Sequence, residues 1–496
     1  MKGMVEIVKG WFGVERKAEM MAKFLGKDSG FRSALLGHRA WYRGDAAELQ
    51  GFYEAYDDGV GNNSFWANKG SNGIGFRKVH SGLPGIMVDK LVDLVCGDLQ
   101  KIEVERQVDE GCSVFVEGDR KAVWDRISEE NGFEGLLRKA VRDVLVCGDG
   151  AFKVNVDFGV SQLPLVEFVC GEDLDFVYRS GRLVEVVFRR VVGKVEGVAA
   201  SGRRSQAHND GEYLLLERYG FGYVRYELFD GKGRVKELCE LEETAGLCDV
   251  GFDEGLMMAV PMKFDESGKF FGRGKSLFEG KEGLFDGLDE VISQWIDCLR
   301  VGRPNVYIPA MLLPRDPRNG AVLRPNGFDN RYIQTQGDLV EGAENRIEVV
   351  QPDIKTGALM DSYVAFLELC LQGIMAPSTL GIEVSRKRDN AEAQREREKA
   401  TVFTRNRVLE GVRKSVELLV ERCLRVWEIM VEEEHCPIGV SVGFGEYANP
   451  GFEAQVETVG KAVGFGIMSL EAAMDELYGD SWSDEEKERE VGRLRG

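Results

Sequence analysis

The stretch SLFEGKEGLFDGLDEVISQWIDCLRVGR, Ser276 to Arg303, decides how the rest of the chain is read. Leu277, Leu284, Leu288, Val291, Trp295 and Leu299 recur at three-, four- and seven-residue steps. That spacing predicts one apolar face of a helix about seven turns long. Glu279, Glu282, Asp286, Asp289, Glu290 and Asp297 fall on the other side, which is therefore expected to look onto solvent. Gly302 followed by Pro304 supplies the stop.

Just upstream, VPMKF leads through SGKFFGRGKS into this helix. Gly274-Lys275-Ser276 between a strand and a helix invites comparison with a phosphate-binding loop, but that loop needs a glycine five residues before Gly274, where Lys269 stands. A plain strand-to-helix turn is the better reading. ATP turnover abolished by Lys275→Ala would distinguish the two.

Downstream, NVYIPAMLL, a PRDPRNG turn, RYIQTQ and RIEVVQP outline a small β-rich unit over 303–355. Its charges are polarised: Arg303, Arg315, Arg318, Arg324 and Arg331 come first, and mostly acid follows at Asp338, Glu341, Glu344, Glu348 and Asp353. A basic and an acidic edge suit contacts between neighbours in a ring, and equally suit a solvated mixed surface. GALMDSYVAFLELCLQGIM then predicts a returning helix with Leu359, Phe366, Leu369 and Cys370 on its apolar face and Pro377 ending it. Two helices flanking a β insertion make a stalk with a cap. The basic triplet Arg386, Lys387 and Arg388 precedes a long helical pattern, Ala393, Ala400, Phe403, Val408, Val412, Val416, Leu419, Cys423 and Trp427. It runs for roughly ten turns, too long for a compact globule. The remainder predicts a strand at Gly439–Phe444, then helices from about Phe452, from Ser469, and behind a capping box formed by Ser483 and Glu486.

Before the opening stretch, residues 1 to about 60 predict mixed-charge helices, and 83–99 a buried one. Ile102–Val108 suggests a strand, Trp124–Val146 two amphipathic helices, and AFKVNVDF a further strand. From about Pro164 to Tyr226 the runs LVEFV, LVEVVFRRVV, YLLLERYG and YVRYELF predict an antiparallel meander, with 199–211 as a hairpin loop inside it.

The 496 residues exceed what one core normally serves. A net charge of -20 argues against sequence-indifferent gripping of nucleic acid, which needs basic patches to displace counterions. Ten scattered cysteines without a CxxC pair and four scattered histidines (His38, His80, His208, His435) propose no metal, cofactor or disulfide framework, and a reducing cytosol is the expected folding compartment. Neither a signal-peptide h-region nor a membrane span is expected. No GxSxG elbow or other catalytic centre is visible, so the chain is expected not to be an enzyme.

Taken together, GKSLFEG with LFDGLDEVISQWIDCLRVGRP (Leu284–Pro304), GFEGLLRKAVRDVLVCGDGAFKVNVD (Gly132–Asp157) and VGFGIMSLEAAMDEL (Val463–Leu477) resemble the portal proteins of tailed bacteriophages, the siphophage type in particular. The resemblance implies an elongated α+β subunit. Its parts are a wing over 1–275, a first stem helix over 276–302, a clip over 303–355 and a second stem helix over 356–376. A tunnel loop and long wing helix over 377–430 and a helical crown over 431–496 complete it. It further implies a ring, usually of twelve subunits, in the virion at one capsid vertex and assembled in the host cytoplasm. The ring would serve as the channel for double-stranded DNA in packaging and ejection. Terminase, head-completion or adaptor proteins, and the major capsid and scaffolding proteins are the implied partners. Candidate channel residues are Arg386, Lys387, Arg388, Asn390, Glu279, Asp286, Glu290 and Asp297, and candidate terminase-facing residues are Arg315, Arg318, Arg324 and Arg331. Trp295 is expected to pack between neighbouring stems. A DNA-packaging ATPase or nuclease component is the alternative, resting on GRGKS and the phage context.

Overall fold

The structure is a computed structural model, and it describes residues 29–55, 64–68, 77–106, 118–193, 213–302, 305–309, 315, 317–318, 320, 331–335, 348–382, 391–431, 438–445, 452–478 and 484–495. Helices and sheets are mixed throughout. Helices α1 (Ser29–Arg43) and α2 (Ala46–Ala55) are followed by α3 (Leu83–Cys96) and strand β1 (Leu99–Arg106). Pro84 stands in the first turn of α3, where its missing N–H costs nothing, and Leu83, Met87, Val88, Leu91, Val92 and Val95 bury one face. Next come α4 (Gly118–Glu130) and α5 (Phe133–Cys147), the two helices expected over Trp124–Val146.

Strands β2 (Asp149–Asn155) and β3 (Leu165–Cys170) follow, and β10 (Ala259–Lys263) joins them in a three-stranded antiparallel sheet of order β10-β2-β3. LVEFV, which is β3, therefore does not open the meander as its sequence suggested. Its Phe168 and Cys170 are buried in the same cluster as α5. The short turn Gly171–Asp173 then carries the chain into the next sheet. That sheet is the meander proper: β4 (Leu174–Arg179), β5 (Arg182–Val192), β6 (Tyr213–Gly220), β7 (Tyr223–Asp230) and β8 (Val235–Lys236) in sequential antiparallel order, with β9 (Val250–Gly251) also paired to β7. The expected hairpin loop at 199–211 lies outside the described residues.

Helix α6 (Glu282–Val301) leads to strands β11 (Asn305–Pro309), β12 (Arg331–Thr335) and β13 (Glu348–Val350). They form a three-stranded sheet in which β11 runs parallel to β12 and antiparallel to β13. Helix α7 (Thr356–Leu371) returns, and α8 (Ala391–Met430) follows with 40 residues, about 60 Å at 1.5 Å per residue. Strand β14 (Ile438–Phe444) pairs antiparallel with β1, some 340 residues earlier, and lies against α8. Helices α9 (Phe452–Gly464), α10 (Leu470–Tyr478) and α11 (Asp484–Arg495) complete the chain. Ser469 caps α10 by accepting the Ala472 N–H, whereas Ser483 of the expected capping box lies outside the described residues.

One large core joins most of the helices to the β10-β2-β3 sheet, while the meander has smaller clusters of its own. Leu35 and Trp41 of α1, Met87 and Leu91 of α3, Leu137 and Val144 of α5, Phe285 and Leu288 of α6, Cys370 of α7 and Val412, Val416 and Leu419 of α8 belong to a single buried cluster. The long α8 is thus stabilised by packing from Val408 to Val426, as isolated helices are not. Phe403 departs from the expected stripe, being 70% exposed.

Candidate functional site

The site is built on the pair α6 and α7. Their antiparallel packing follows from side chains: Trp295 meets Tyr363 edge to face at 6.4 Å, Gly287 lies under the Phe366 ring, and Gly302 lies against Ile354. Small residues here are steric requirements, since a Cβ on Gly287 would stand 2.5 Å from Phe366 and one on Gly302 would stand 2.3 Å from Ile354. Trp295 therefore packs within its own chain, on the returning helix, rather than only against a neighbour.

The first helix starts six residues later than Ser276. Ser276 donates its hydroxyl to the Val146 carbonyl, and the Leu277 N–H bonds Leu145 O, so this segment supplies donors to the open C-terminal carbonyls of α5. Gly280 then takes φ +82 and the helix begins at Glu282. The second helix ends at Leu371, well before Pro377. Lys281 donates through Nζ to Leu369 O and Gln372 O at 2.9 and 2.8 Å, and Gly373 adopts φ +75. The cation capping the second helix is thus the residue that precedes the first.

The acidic side of α6 does not look wholly onto solvent. Asp289 is fully buried and accepts from Trp66 Nε1 (3.2 Å), from the Ser81 N–H (2.8 Å) and from His80 Nδ1 (2.6 Å). Asp286 is 9% exposed and accepts the Phe65 and Trp66 N–H groups. Burial raises its pKa above the ordinary carboxylate value, against the opposing pull of those two N–H donors. Ser293 is buried and exchanges hydrogen bonds with Val79. Glu282 meets His38 Nε2 at 3.1 Å. Its pKa is lowered because, although burial alone would raise it, the His38 and Gly280 hydrogen bonds prevail. Asp286 is therefore no channel-facing residue: with Asp289 and Ser293 it clamps Phe65–Trp66 and Val79–Ser81 onto the helix. Glu279 is half-buried and accepts from Ser267 Oγ. Glu290 is exposed and Asp297 half-exposed, and both keep the outward placement expected of them.

The apolar faces also shift. Leu288 is 1% exposed and Phe285, absent from the expected stripe, is 0% exposed, whereas Leu299 is 52% exposed. On α7 the buried residues are Leu367, Cys370 and Leu371, and Leu369 is 42% exposed. Met360 joins them at 45%, and Asp361 and Glu368 are exposed on the same helix.

At the GRGKS turn the backbone is consumed by the fold. Gly274 N–H donates to Asp149 Oδ2 and Lys275 N–H to Asp265 O, and Gly274 and Gly148 touch so closely that a Cβ on Gly274 would lie 2.1 Å from Gly148 O. Arg273 is buried and donates to Asp149 Oδ1, Gly171 O and Leu174 O, with its guanidinium 4.2 Å from the Phe31 ring centroid. Burial raises the Asp149 pKa, and Arg273 and the Gly274 N–H oppose it. The phosphate cradle of open N–H groups that a nucleotide loop needs is absent at this turn.

Arg386, Lys387, Arg388 and Asn390, and also Arg324, lie outside the described residues. Arg315 and Arg318 are exposed, and Arg331 opens β12 opposite Asn305. Among the described residues no group of three or more His, Cys, Asp and Glu is placed to hold a metal, and no helix is long and apolar enough to cross a membrane. What the sequence reading missed is the clamp residues Trp66, His80 and Ser293; only the scatter of polar residues in a helix otherwise read as amphipathic hinted at Ser293.

No family model matches the chain, and no curated protein matches it. Among solved structures, a chain from the virion of a native gene transfer agent particle aligns over 82% of this chain and 89% of its own length, at 14% sequence identity and a TM-score of 0.40.

Proposed function

We propose that the chain is a portal subunit: a structural, non-enzymatic component of a ring at one vertex of a tailed-phage-type capsid, through which double-stranded DNA enters and leaves. The observation that carries this reading is the order of parts around α6 and α7. Two antiparallel helices flank a three-stranded β unit and lead into a 40-residue helix.

In this reading the exposed Leu299, Met360 and Leu369 are the apolar contacts between neighbouring helix pairs. Glu290, Asp297, Asp361 and Glu368 supply a negative lining that DNA does not adhere to, since every neutralised phosphate would add salt-dependent affinity and so drag. Arg386, Lys387, Arg388 and Asn390 are the proposed loop contacts in the bore. The unit at 303–355, with Arg315, Arg318, Arg324 and Arg331, is the proposed docking face for terminase and later for head-completion proteins. Capsid and scaffolding proteins are proposed to surround the ring.

Negative-stain electron microscopy of the purified full-length protein tests the reading. Rings with a central hole about as wide as a DNA duplex are expected. A protein that stays monomeric under all assembly conditions, together with particles that fill with DNA when the chain is deleted, would refute it.

A further inference from the structure

Beside the GRGKS turn lies a cavity of about 170 Å³ that neither the fold nor the proposed ring makes use of. It opens where the root of α6, the end of α7 and the side of α8 meet, and its charged lining is Lys275, Lys281, Arg407, Asp265 and Glu279, with the Thr404 hydroxyl. Three cations against two carboxylates is an inversion in a chain with 84 acidic and 64 basic residues.

The carboxylates are already engaged. Asp265 accepts from Arg407 Nη1 at 3.3 Å and from the Glu266 N–H, and Glu279 accepts from Ser267. Of the cations, Arg407 is engaged by that same contact with Asp265, and the two lysines less so. Lys275 is exposed and has no ion pair among the described residues. Lys281 gives two of its three N–H groups to backbone carbonyls, and burial lowers its pKa, so its charge is under-solvated where it stands. The space corresponds to roughly five waters of liquid volume, enough for a tetrahedral oxyanion with a water beside it.

We propose that this cavity is an oxyanion site, taking a phosphate group between the Lys275 and Lys281 ammonium groups and the Arg407 guanidinium. The backbone of the turn contributes nothing to it, so it is not a nucleotide loop: the side chains bind, by charge and hydrogen bonding. Because Lys275 and Lys281 flank the start of α6, Lys281 caps α7 and Arg407 belongs to α8, a bound anion ties the root of the helix pair to the long helix. This inference does not depend on the ring reading.

The test is isothermal titration and thermal unfolding of the full-length protein with inorganic phosphate, with chloride replaced so that ionic strength is constant. Saturable binding is expected in the parent, at least fivefold weaker in Lys275→Gln with Arg407→Gln, and retained in Lys275→Arg. Lys275→Gln alone, at an exposed side chain without an ion pair among the described residues, serves if the double variant does not fold. Parallel titrations with a short DNA duplex and with ATP identify the source of the phosphate: displacement of bound phosphate by the duplex assigns a backbone phosphate, displacement by ATP alone a nucleotide phosphate, and displacement by neither the inorganic ion. No saturable response, or equal stabilisation of parent and variants by phosphate as by any excluded salt, overturns the proposal. A monomer that binds phosphate would refute the ring and leave this site standing; a ring without binding would do the reverse.

Discussion

Replacing Asp289 with alanine separates a structural clamp from a channel lining. Were Asp289 one of the acids facing DNA, its removal would leave the fold untouched. In the structure its carboxylate is fully buried and holds three donors, His80 Nδ1, Trp66 Nε1 and the Ser81 N–H, at 2.6, 3.2 and 2.8 Å. A buried donor left without a partner costs about 1–3 kcal/mol. Three of them sum to about 3–9 kcal/mol, and water entering the truncated space brings the cost toward the lower end. We expect a loss of about 4 kcal/mol, a large share of the ~5–15 kcal/mol that holds most domains together. Equilibrium urea unfolding, followed by circular dichroism and by tryptophan fluorescence, reads it directly, because Trp66 and Trp41 both stand beside His80. Asp289→Asn keeps one acceptor and should cost about half as much. A change below about 1 kcal/mol in Asp289→Ala would refute the clamp and restore the outward-facing acid.

Leu288→Asp, 1% exposed in the chain's own core, should lower stability by roughly 3 kcal/mol or more in the monomer itself, so thermal unfolding should fall before any assembly is attempted. Gly274→Ala places a Cβ against the Gly148 carbonyl, where neither backbone can yield; a cost at or above the roughly 1–3 kcal/mol of ordinary overpacking is expected, seen as a lower melting temperature or lost soluble yield. Site-resolved alkylation should modify the exposed Cys239, Cys248 and Cys298 in the native protein and spare Cys96 and Cys370, whose thiols burial pushes up to about 11 and about 12; modification of Cys298 should fall if rings form over that helix face. Glu282, held low by His38 and Gly280, contributes stability above the unfolded glutamate pKa of about 4.3 that is lost as pH falls through its folded value. Glu282→Gln should therefore flatten the stability profile below about pH 4.3, and an unchanged acid limb would show that the contact with His38 is idle.

Periodicity made most of the helices legible, because a buried stripe at helical spacing is written in the local sequence: α3, α5, α7, α8 and the three C-terminal helices stand close to where the spacing put them. The β-rich unit between α6 and α7 was legible for the same reason, from short alternating runs broken by Pro and Gly. The errors arose where a partner distant in sequence changed the rule. Hydrophobic patterning assumes that carboxylates seek water, yet Asp286 and Asp289 are buried because Phe65, Trp66, His80 and Ser81, more than 200 residues earlier, bring donors to them. The Ser276–Lys281 segment reads as helix but spends its donors on the end of α5. LVEFV reads as meander but lies against α5 because Phe168 and Cys170 are buried there. Sequence alone therefore determined that Ser276–Arg303 holds an amphipathic helix with a returning partner and a β unit between them. Only tertiary structure decided which of its faces is buried, because burial of charge is set by the donors that distant segments supply, and those contacts leave no period in the chain.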